Sequence, residues 1–207
     1  MARTIAAAVS AIAVLIGGVR WMTGGGISQD APRRTSPNPP ALAAFERIAS
    51  VLESPRCMNC HPRGDRPSQG DDRHIHLMNV QRGAAGRGVP GMACSTCHQR
   101  HNNDLGGVPG APHWQLAPKS MGWTGLSRGE LCRTVLDRSK NGRRTAAALA
   151  RHMTSDELVL WAWSPGVGRT PPPVSSDEFK RALEVWVSAG TPCPALEVGH
   201  ERHQGSR

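Results

Sequence analysis

The chain has few of the residues that usually fill a protein core. Its 207 residues include no Tyr, two Phe and six Trp, so that aromatic residues make up only 4% of the sequence. Side chains therefore supply less bulky apolar filling than is usual for a single domain of this length. The sequence also holds 23 Gly and 17 Pro. A composition this rich in turn-forming residues predicts short helices joined by many turns and extended segments.

Acidic residues are also scarce. The chain has 25 Lys and Arg against 16 Asp and Glu, which gives a formal net charge of +9, and nearly all of the basic residues are Arg. The Arg residues are scattered and form no run or recognition motif, which argues against nucleic-acid binding. The charge instead favours an acidic protein partner or an anionic membrane surface.

The apolar run at residues 5–19 falls short of a typical membrane span. It follows a positively charged start and contains about 15 residues, whereas a spanning helix needs about 20. This pattern is typical of a secretory signal and predicts export to the periplasm. Arg20 and Trp21 give no clean cleavage site, so residues 1–23 are predicted to be either a cleaved signal peptide or a retained membrane anchor.

The rest of the chain reads as one mainly α domain with extensive loops. Residues 24–40 are rich in Gly and Pro and predict a flexible linker, and the polar tail at 196–207 predicts disorder. The domain between them, at 41–195, is predicted to contain helices over 41–53, from Ser127 to about Asp137, over 145–152, over 156–163 with Thr154 or Ser155 as cap, and from Ser175 or Ser176 to Gly190.

Two short motifs carry the strongest chemical signal. Residues 57–61 read Cys-Met-Asn-Cys-His, and residues 94–98 read Cys-Ser-Thr-Cys-His. Both have the C-x-x-C-H form that marks attachment of c-type haem. Two thiols at this spacing reach the vinyl groups at one porphyrin edge, and the next residue places its imidazole beneath the iron. The motifs predict two haem c groups, attached through Cys57, Cys60, Cys94 and Cys97, with His61 and His98 as proximal iron ligands.

Cysteine pairs of this kind have other uses. A zinc ribbon takes its ligands from two C-x-x-C pairs, and a dithiol redox site uses one pair. Neither use requires His directly after the second Cys, and here His follows both times. The sequence therefore favours haem over zinc. Because the motifs start at positions 57 and 94, too close for two complete single-haem domains, we expect one cytochrome c-like domain folded around both haems.

The distal iron ligands are harder to predict, because they can come from any part of the fold. We predict His76 for one iron, with its neighbour His74 as the alternative, because this pair lies between the two motifs. We predict His152 for the other iron. It precedes two Trp residues, at 161 and 163, and would bring an imidazole and a flat apolar surface to one ring together.

Other possible distal ligands are Met121 and His113, and Met at either iron would raise its reduction potential. His101 lies too close to His98 to reach the opposite face of the same ring. Two cysteines remain outside the motifs, Cys132 and Cys193. In an oxidising compartment we expect them to form a disulfide, and the alternative is two buried free thiols.

Several stretches resemble the small exported dihaem cytochromes that are labelled isoquinoline 1-oxidoreductase subunits. The resemblance covers about residues 41 to 194, and its motifs are SPRCMNCHP at 54–62, QGDD at 69–72, HLMNVQRG at 76–83, GVPGMACSTCHQ at 88–99, PGAP at 109–112, LVLWAWSPG at 158–166 and GTPCP at 190–194. It implies an electron-transfer partner for a molybdenum hydroxylase that oxidises N-heterocycles or aldehydes. The chain contains nothing that resembles a molybdopterin or iron–sulfur site, so the hydroxylation would belong to another protein.

The leading functional prediction is electron transfer between a partner oxidoreductase and the respiratory chain, with an acidic partner docking on a basic face. The alternative is a haem enzyme of the peroxidase or reductase type. Such an enzyme needs one iron with an open position, whereas an electron carrier uses two six-coordinate irons.

Overall fold

A computed structural model describes residues 38–196 of the chain. This part is mainly helical with extensive loops, as the sequence predicts. None of its helices is long and apolar enough to cross a membrane. The predicted signal at 1–23, the linker up to residue 37 and the tail from residue 197 lie outside the described residues.

The helices and strands are short and separated by long connections. The α-helices are α1 (Pro39–Leu52), α2 (Pro55–Met58), α3 (Arg128–Leu136), α4 (Ala146–Ser155), α5 (Glu157–Leu160) and α6 (Ser176–Ser188). The strands form two antiparallel pairs, β1 (Ser68–Gln69) with β2 (His74–Ile75) and β3 (Gly88–Val89) with β4 (Met92–Ala93). Short 3₁₀ turns occur at Cys94–Thr96, Lys119–Met121 and Trp161–Trp163.

Helix α1 begins two residues earlier than the amphipathic pattern suggests. The Asn38 side chain accepts a hydrogen bond from the backbone N–H of Ala41, and Pro39 and Pro40 form the first turn, where Pro is well tolerated because those N–H groups have no helical partner. Two residues assigned to the linker are therefore helical. A separate short helix, α2, follows at once and carries Cys57.

Helices α1, α3, α4 and α6 enclose the apolar core. Helix α6 packs against α1 and α4, and α3 also packs against α1. The rings of Phe45 in α1 and Trp186 in α6 lie with centroids 5.3 Å apart, and Phe179 contacts Trp163 at 5.2 Å. The most deeply buried side chains are shared by these helices: Phe45, Ile48, Val51, Leu131, Val135, Phe179, Leu183 and Trp186.

A disulfide joins the two ends of this helical core. Cys132 in α3 and Cys193, just after α6, have their sulfur atoms 2.02 Å apart and their Cα atoms 5.6 Å apart. On the outer side of α1, the guanidinium of Arg128 forms ion pairs with both Glu46 and Glu53. The disulfide and the Arg128 pairs both tie α3 to distant parts of the chain.

The helix expected over 156–163 differs from its prediction. Thr154 and Ser155, proposed as its cap, belong to the last turn of α4, where their hydroxyls donate to the carbonyls of Ala150 and Arg151. The side chain of Asp156 is the actual cap and accepts from the N–H of Leu158. Asp forms this bond well because its short side chain places the carboxylate within reach of the backbone N–H two residues further along the chain. Asp156 therefore ends α4 and begins α5.

The cap of α6 gives a direct test of local structure. Ser175 accepts from the N–H of Glu178, whose carboxylate in turn accepts from the N–H of Ser175, which completes a capping box. We expect S175A to lower the free energy of unfolding by about 1 kcal/mol, measured by chemical denaturation. S176A, one position later on the exposed first turn, should change it by less than about 0.5 kcal/mol. A larger effect of S176A than of S175A would instead assign the cap to Ser176, the other candidate.

Candidate functional site

The first motif lies at the junction of α2 and the long loop region. Cys57 is in α2, and the chain then turns so that Cys60 and His61 face the same cavity. Burial raises the pKa of the Cys57 thiol to about 12 and that of Cys60 to about 11. Both thiols are therefore neutral at pH 7, which argues against a reactive dithiol, because such sites work through a thiolate with a lowered pKa.

The imidazole of His61 is held firmly on one side. Its Nδ1–H donates to the backbone carbonyl of Met121 at 2.8 Å, and its ring stacks on Trp123 with centroids 3.4 Å apart. Burial lowers the pKa of His61 to about 4, so the ring is neutral at pH 7. A neutral ring with its Nδ1 proton engaged leaves the lone pair of Nε2 available to a metal.

A cavity of about 540 Å³ lies between this motif and the helices α4 and α5. Its volume falls within the range of roughly 300–1,000 Å³ that small-molecule and cofactor sites occupy. The lining is largely apolar, with polar groups at restricted places. It includes Leu52, Cys57, Cys60, His61, Leu116, Met121, Trp123, Leu149, His152, Met153, Leu158, Val159, Trp161 and Ala162, together with Arg56, Arg87, Arg144, His113, Gln115 and Asn141.

His152 enters the same cavity from α4. It lies close enough to His61 that its charge contributes to the lowered pKa of His61. Nδ1 of His152 lies 3.2 Å from the carboxylate of Asp156, one helical turn further on. Burial and then the nearby Arg144 lower the pKa of His152, while Asp156 acts in the opposite direction. The sequence leaves open which motif His152 serves, and the structure brings it to the cavity of His61.

The second motif lies at the end of the β3–β4 hairpin. Cys94 starts a short 3₁₀ turn, and His98 follows it. Nδ1–H of His98 donates to the carbonyl of Pro109 at 2.8 Å, and the ring stacks on Trp114 with centroids 4.4 Å apart. Burial lowers the pKa of His98. The second motif thus repeats the arrangement of the first, with a carbonyl acceptor and a stacked Trp.

His76 faces His98 across the second motif. The centroids of the two rings are 6.1 Å apart, and their planes make an angle of 78°. Nδ1–H of His76 donates to the carbonyl of Leu77 at 2.9 Å. Imidazole nitrogens bind first-row metals at about 2 Å, so two rings on opposite sides of one metal have centres about 6 Å apart. The observed separation matches that requirement.

The first motif helps to position His76. Arg56 and Asn59 both donate to the carbonyl of Gly70, in the turn of the β1–β2 hairpin that precedes His76. Arg56 also pairs with Asp71, whose carboxylate accepts from Thr170. A residue other than glycine at this turn would be strained, because φ of Gly70 is +74° and a Cβ would approach the Asp72 carboxylate. The two sites are therefore structurally linked.

Two further contacts place the sites side by side. The carbonyl of Gly86 accepts from the N–H of Leu116, which lines the cavity of the first motif, and from Sγ of Cys94 in the second motif at 4.0 Å. In the second contact, Trp114, which stacks on His98, meets Trp161 edge-on with ring centroids 4.8 Å apart. Trp161 lines the cavity of the first motif. The two motifs are therefore near neighbours in the fold.

The four imidazoles predicted as iron ligands share one property. His61, His76, His98 and His152 each place Nδ1 within hydrogen-bond distance of a carbonyl or carboxylate oxygen, and within residues 38–196 their Nε2 atoms have no such partner. Metal-binding His side chains typically donate their second ring N–H in this way, which fixes the tautomer and the ring orientation.

The alternative ligands are placed less favourably. His74 is exposed and binds Asp72 at 2.6 Å on the surface. The carbonyl of Met121 accepts from Nδ1 of His61, so the Met121 backbone lies beside the His61 ring. His113 is exposed at the edge of the cavity, and His101 is exposed near the second motif.

Several residues of the site are missing from the sequence-based prediction. Trp123 and Trp114 stack on the two motif His rings, and nothing in their spacing from the motifs indicates this. Asp156 carried a usable signal, because it lies four positions after His152 on the same helical face.

Within residues 38–196, no group of three or more His, Cys, Asp and Glu side chains is arranged to hold a bare metal ion. Comparison of the chain with family models, with curated proteins and with solved structures gave no match.

Proposed function

We propose that this protein is an exported dihaem c-type cytochrome that passes electrons between a partner oxidoreductase and the respiratory chain. The observation that carries the proposal is the placement of a second imidazole near each motif His: the ring of His76 lies 6.1 Å from that of His98, and His152 lines the same cavity as His61. Two neutral imidazoles opposite each other form the ligand set of a six-coordinate haem iron.

The residues present fit such a group. A haem c at each motif would supply one-electron redox chemistry. Cys57 and Cys60 would hold the first by thioether bonds, and Cys94 and Cys97 the second. His61 with His152, and His98 with His76, would bind the irons.

Other residues of the cavity would orient the first group. Trp123 holds His61 in place by stacking, and the carbonyl of Met121 fixes its tautomer. Arg87 and Arg144 line the cavity, and their guanidinium groups suit the carboxylates of haem propionates. The apolar side chains of α4 and α5 that line the cavity would exclude water from such a group.

The pairing of imidazoles favours electron transfer over the haem-enzyme alternative. An enzyme of the peroxidase type needs one iron position that substrate can reach. Here His152 lies within electrostatic reach of His61, and His76 lies 6.1 Å from His98 by ring centroids. The resemblance to isoquinoline 1-oxidoreductase subunits suggests a molybdenum hydroxylase as the partner oxidoreductase.

The decisive experiment is expression with a cytochrome c maturation system, followed by intact mass and visible spectroscopy. Two covalent haems should each add about 616 Da to the polypeptide. Both irons should be low-spin, and the ferrous protein should not bind carbon monoxide rapidly. A colourless protein with the mass of the bare chain would end the proposal, and rapid binding of carbon monoxide at one haem would favour the enzyme.

Asp156 provides a residue-level prediction. Its carboxylate lies 3.2 Å from Nδ1 of His152, where its negative charge would make that imidazole a stronger donor to iron and lower the reduction potential of a haem bound there. We expect D156N, a weaker acceptor, to raise one of the two potentials by on the order of 50 mV in a spectroelectrochemical titration.

The matched control is D72N. Asp72 binds Nδ1 of His74 at 2.6 Å, the same chemical pair, on a His that is not a proposed ligand. D72N removes the same charge and should leave both potentials within about 10 mV of the wild type. Equal shifts in the two variants would mean that only net charge matters.

A further inference from the structure

The two motifs differ in their access to solvent. Cys57, Cys60 and His61 face the cavity that α4 and α5 close. The second motif lies at the surface, where Cys97 is exposed, and so are the side chains beside it at Ser95, Thr96, Gln99 and Arg100. On the opposite side of His98, the residues next to His76 are also exposed.

We infer that electrons enter and leave the protein at the second motif, through docking of an acidic redox protein on the surface around His76 and Cys97. This inference rests on the proposed function. It adds where on the surface the partner docks and which charge the partner carries there. In each exchange one electron passes, so that the partner is oxidised as the second site is reduced, or the reverse. The electron would then pass between the second site and the first, which are linked by the contact of Trp114 with Trp161.

The charge of this surface supports an acidic partner. Every carboxylate between the start of the first motif and residue 113 has a partner of its own: Asp65 binds Lys119, Asp71 binds Arg56 and Thr170, Asp72 binds His74, and Asp104 accepts from the N–H of Val167. Five exposed Arg residues in the same segment form no ion pair within residues 38–196: Arg63, Arg66, Arg73, Arg87 and Arg100.

The chemistry of the surface also fits a transient interface. Leu77 and Met78, next to His76, are 63% and 71% exposed and give it an apolar centre. Interfaces of this kind combine an apolar centre with a charged rim, and complementary charge mainly raises the rate of association. Because Arg73 and Arg100 make no hydrogen bond or ion pair within residues 38–196, their charges are free to act on a partner.

The test compares two variants of the matured protein with the same change in net charge. R73D/R100E alters the rim of the second motif, with Asp at position 73 because φ of Arg73 is +58° and Asp tolerates that region. K180E/R181E alters exposed residues on α6, which packs against α1 and α4. Neither pair belongs to the proposed ligand sets.

Stopped-flow rates with small redox probes provide the first readout. At low salt, R73D/R100E should slow oxidation by an anionic iron–cyanide complex about tenfold and accelerate oxidation by a cationic ruthenium–ammine complex. K180E/R181E should change either rate by less than about twofold, and added salt should remove the difference. Equal effects of the two variants would overturn the inference.

Hydrogen exchange provides a second readout that does not depend on electron transfer. A polyglutamate peptide, used as an acidic probe, should protect backbone amides at 73–78 and 95–100 in the wild type and not in R73D/R100E. Protection at another surface would overturn the inference. The mass and the visible spectrum of each variant are checked first. A protein without haem would contradict the proposed function. A protein with two haems whose rates and amide protection do not change in R73D/R100E would contradict this inference alone.

Discussion

Replacement of His152 by Met is expected to raise the reduction potential of one of the two proposed haems by on the order of 0.2 V, because a thioether donates less electron density to iron than an imidazole does. His152 lines the same cavity as His61, and Met153 beside it shows that the cavity accepts a methionine side chain. The other haem should keep its potential to within a few tens of millivolts. The measurement is a spectroelectrochemical titration with both haems followed.

Two further variants test the assignment of ligands. H76M should raise the other potential by a similar amount, because the ring of His76 faces His98 at 6.1 Å. H74M is the control: His74 differs from His76 by two positions but points to Asp72 on the surface, so neither potential should move. A shift in H74M comparable to that in H76M would reassign the distal ligand of the second haem.

Removal of the disulfide is expected to have the largest effect on stability. Cys132 and Cys193 close a loop with a sequence separation of 61 residues. Loss of a cross-link over such a loop increases the entropy of the unfolded chain and lowers the free energy of unfolding by about 4 kcal/mol in C132A/C193A. For a domain of this size the melting temperature should fall by on the order of 10 °C.

The experiment separates the cross-link from the packing of its sulfur atoms. Cys132, in α3, is fully buried, and its partner Cys193 lies just after the end of α6. Wild-type protein with the disulfide reduced keeps both side chains and loses only the bond, so its unfolding measures the cross-link alone. If the reduced protein is as stable as the oxidised one, the stabilisation comes from packing, and C132A/C193A should then show the smaller cost of a cavity.

The helices illustrate how far local sequence determines the fold. The capping boxes at Ser127 and Ser175 are made within four residues, so their sequence signals locate α3 and α6 correctly. The cap of α5 was assigned wrongly, because three successive residues, Thr154, Ser155 and Asp156, are all able to cap a helix. The choice depends on where α4 ends, and that is decided by packing of its buried residues Leu149 and Met153.

The candidate site likewise has some features that local sequence determines and others that depend on the tertiary structure. The thiols and the motif His residues follow from a five-residue pattern, because their chemistry depends on neighbours in the chain. The preference for His76 over His74 could be only weakly argued from sequence, since both lie in one loop. The structure separates them: the hairpin held by Arg56 and Asn59 turns His76 toward His98 and leaves His74 on the surface.

The sequence by itself determined the two Cys-His motifs, the mainly helical character and the cysteine pair left over for a disulfide, because each depends on residue types at short spacing or on simple counting. Only the tertiary structure decided which imidazoles face each other, that Trp123 and Trp114 support the motif His rings, and that the second motif lies nearer to solvent. These properties depend on contacts between residues far apart in the chain, which no local pattern encodes.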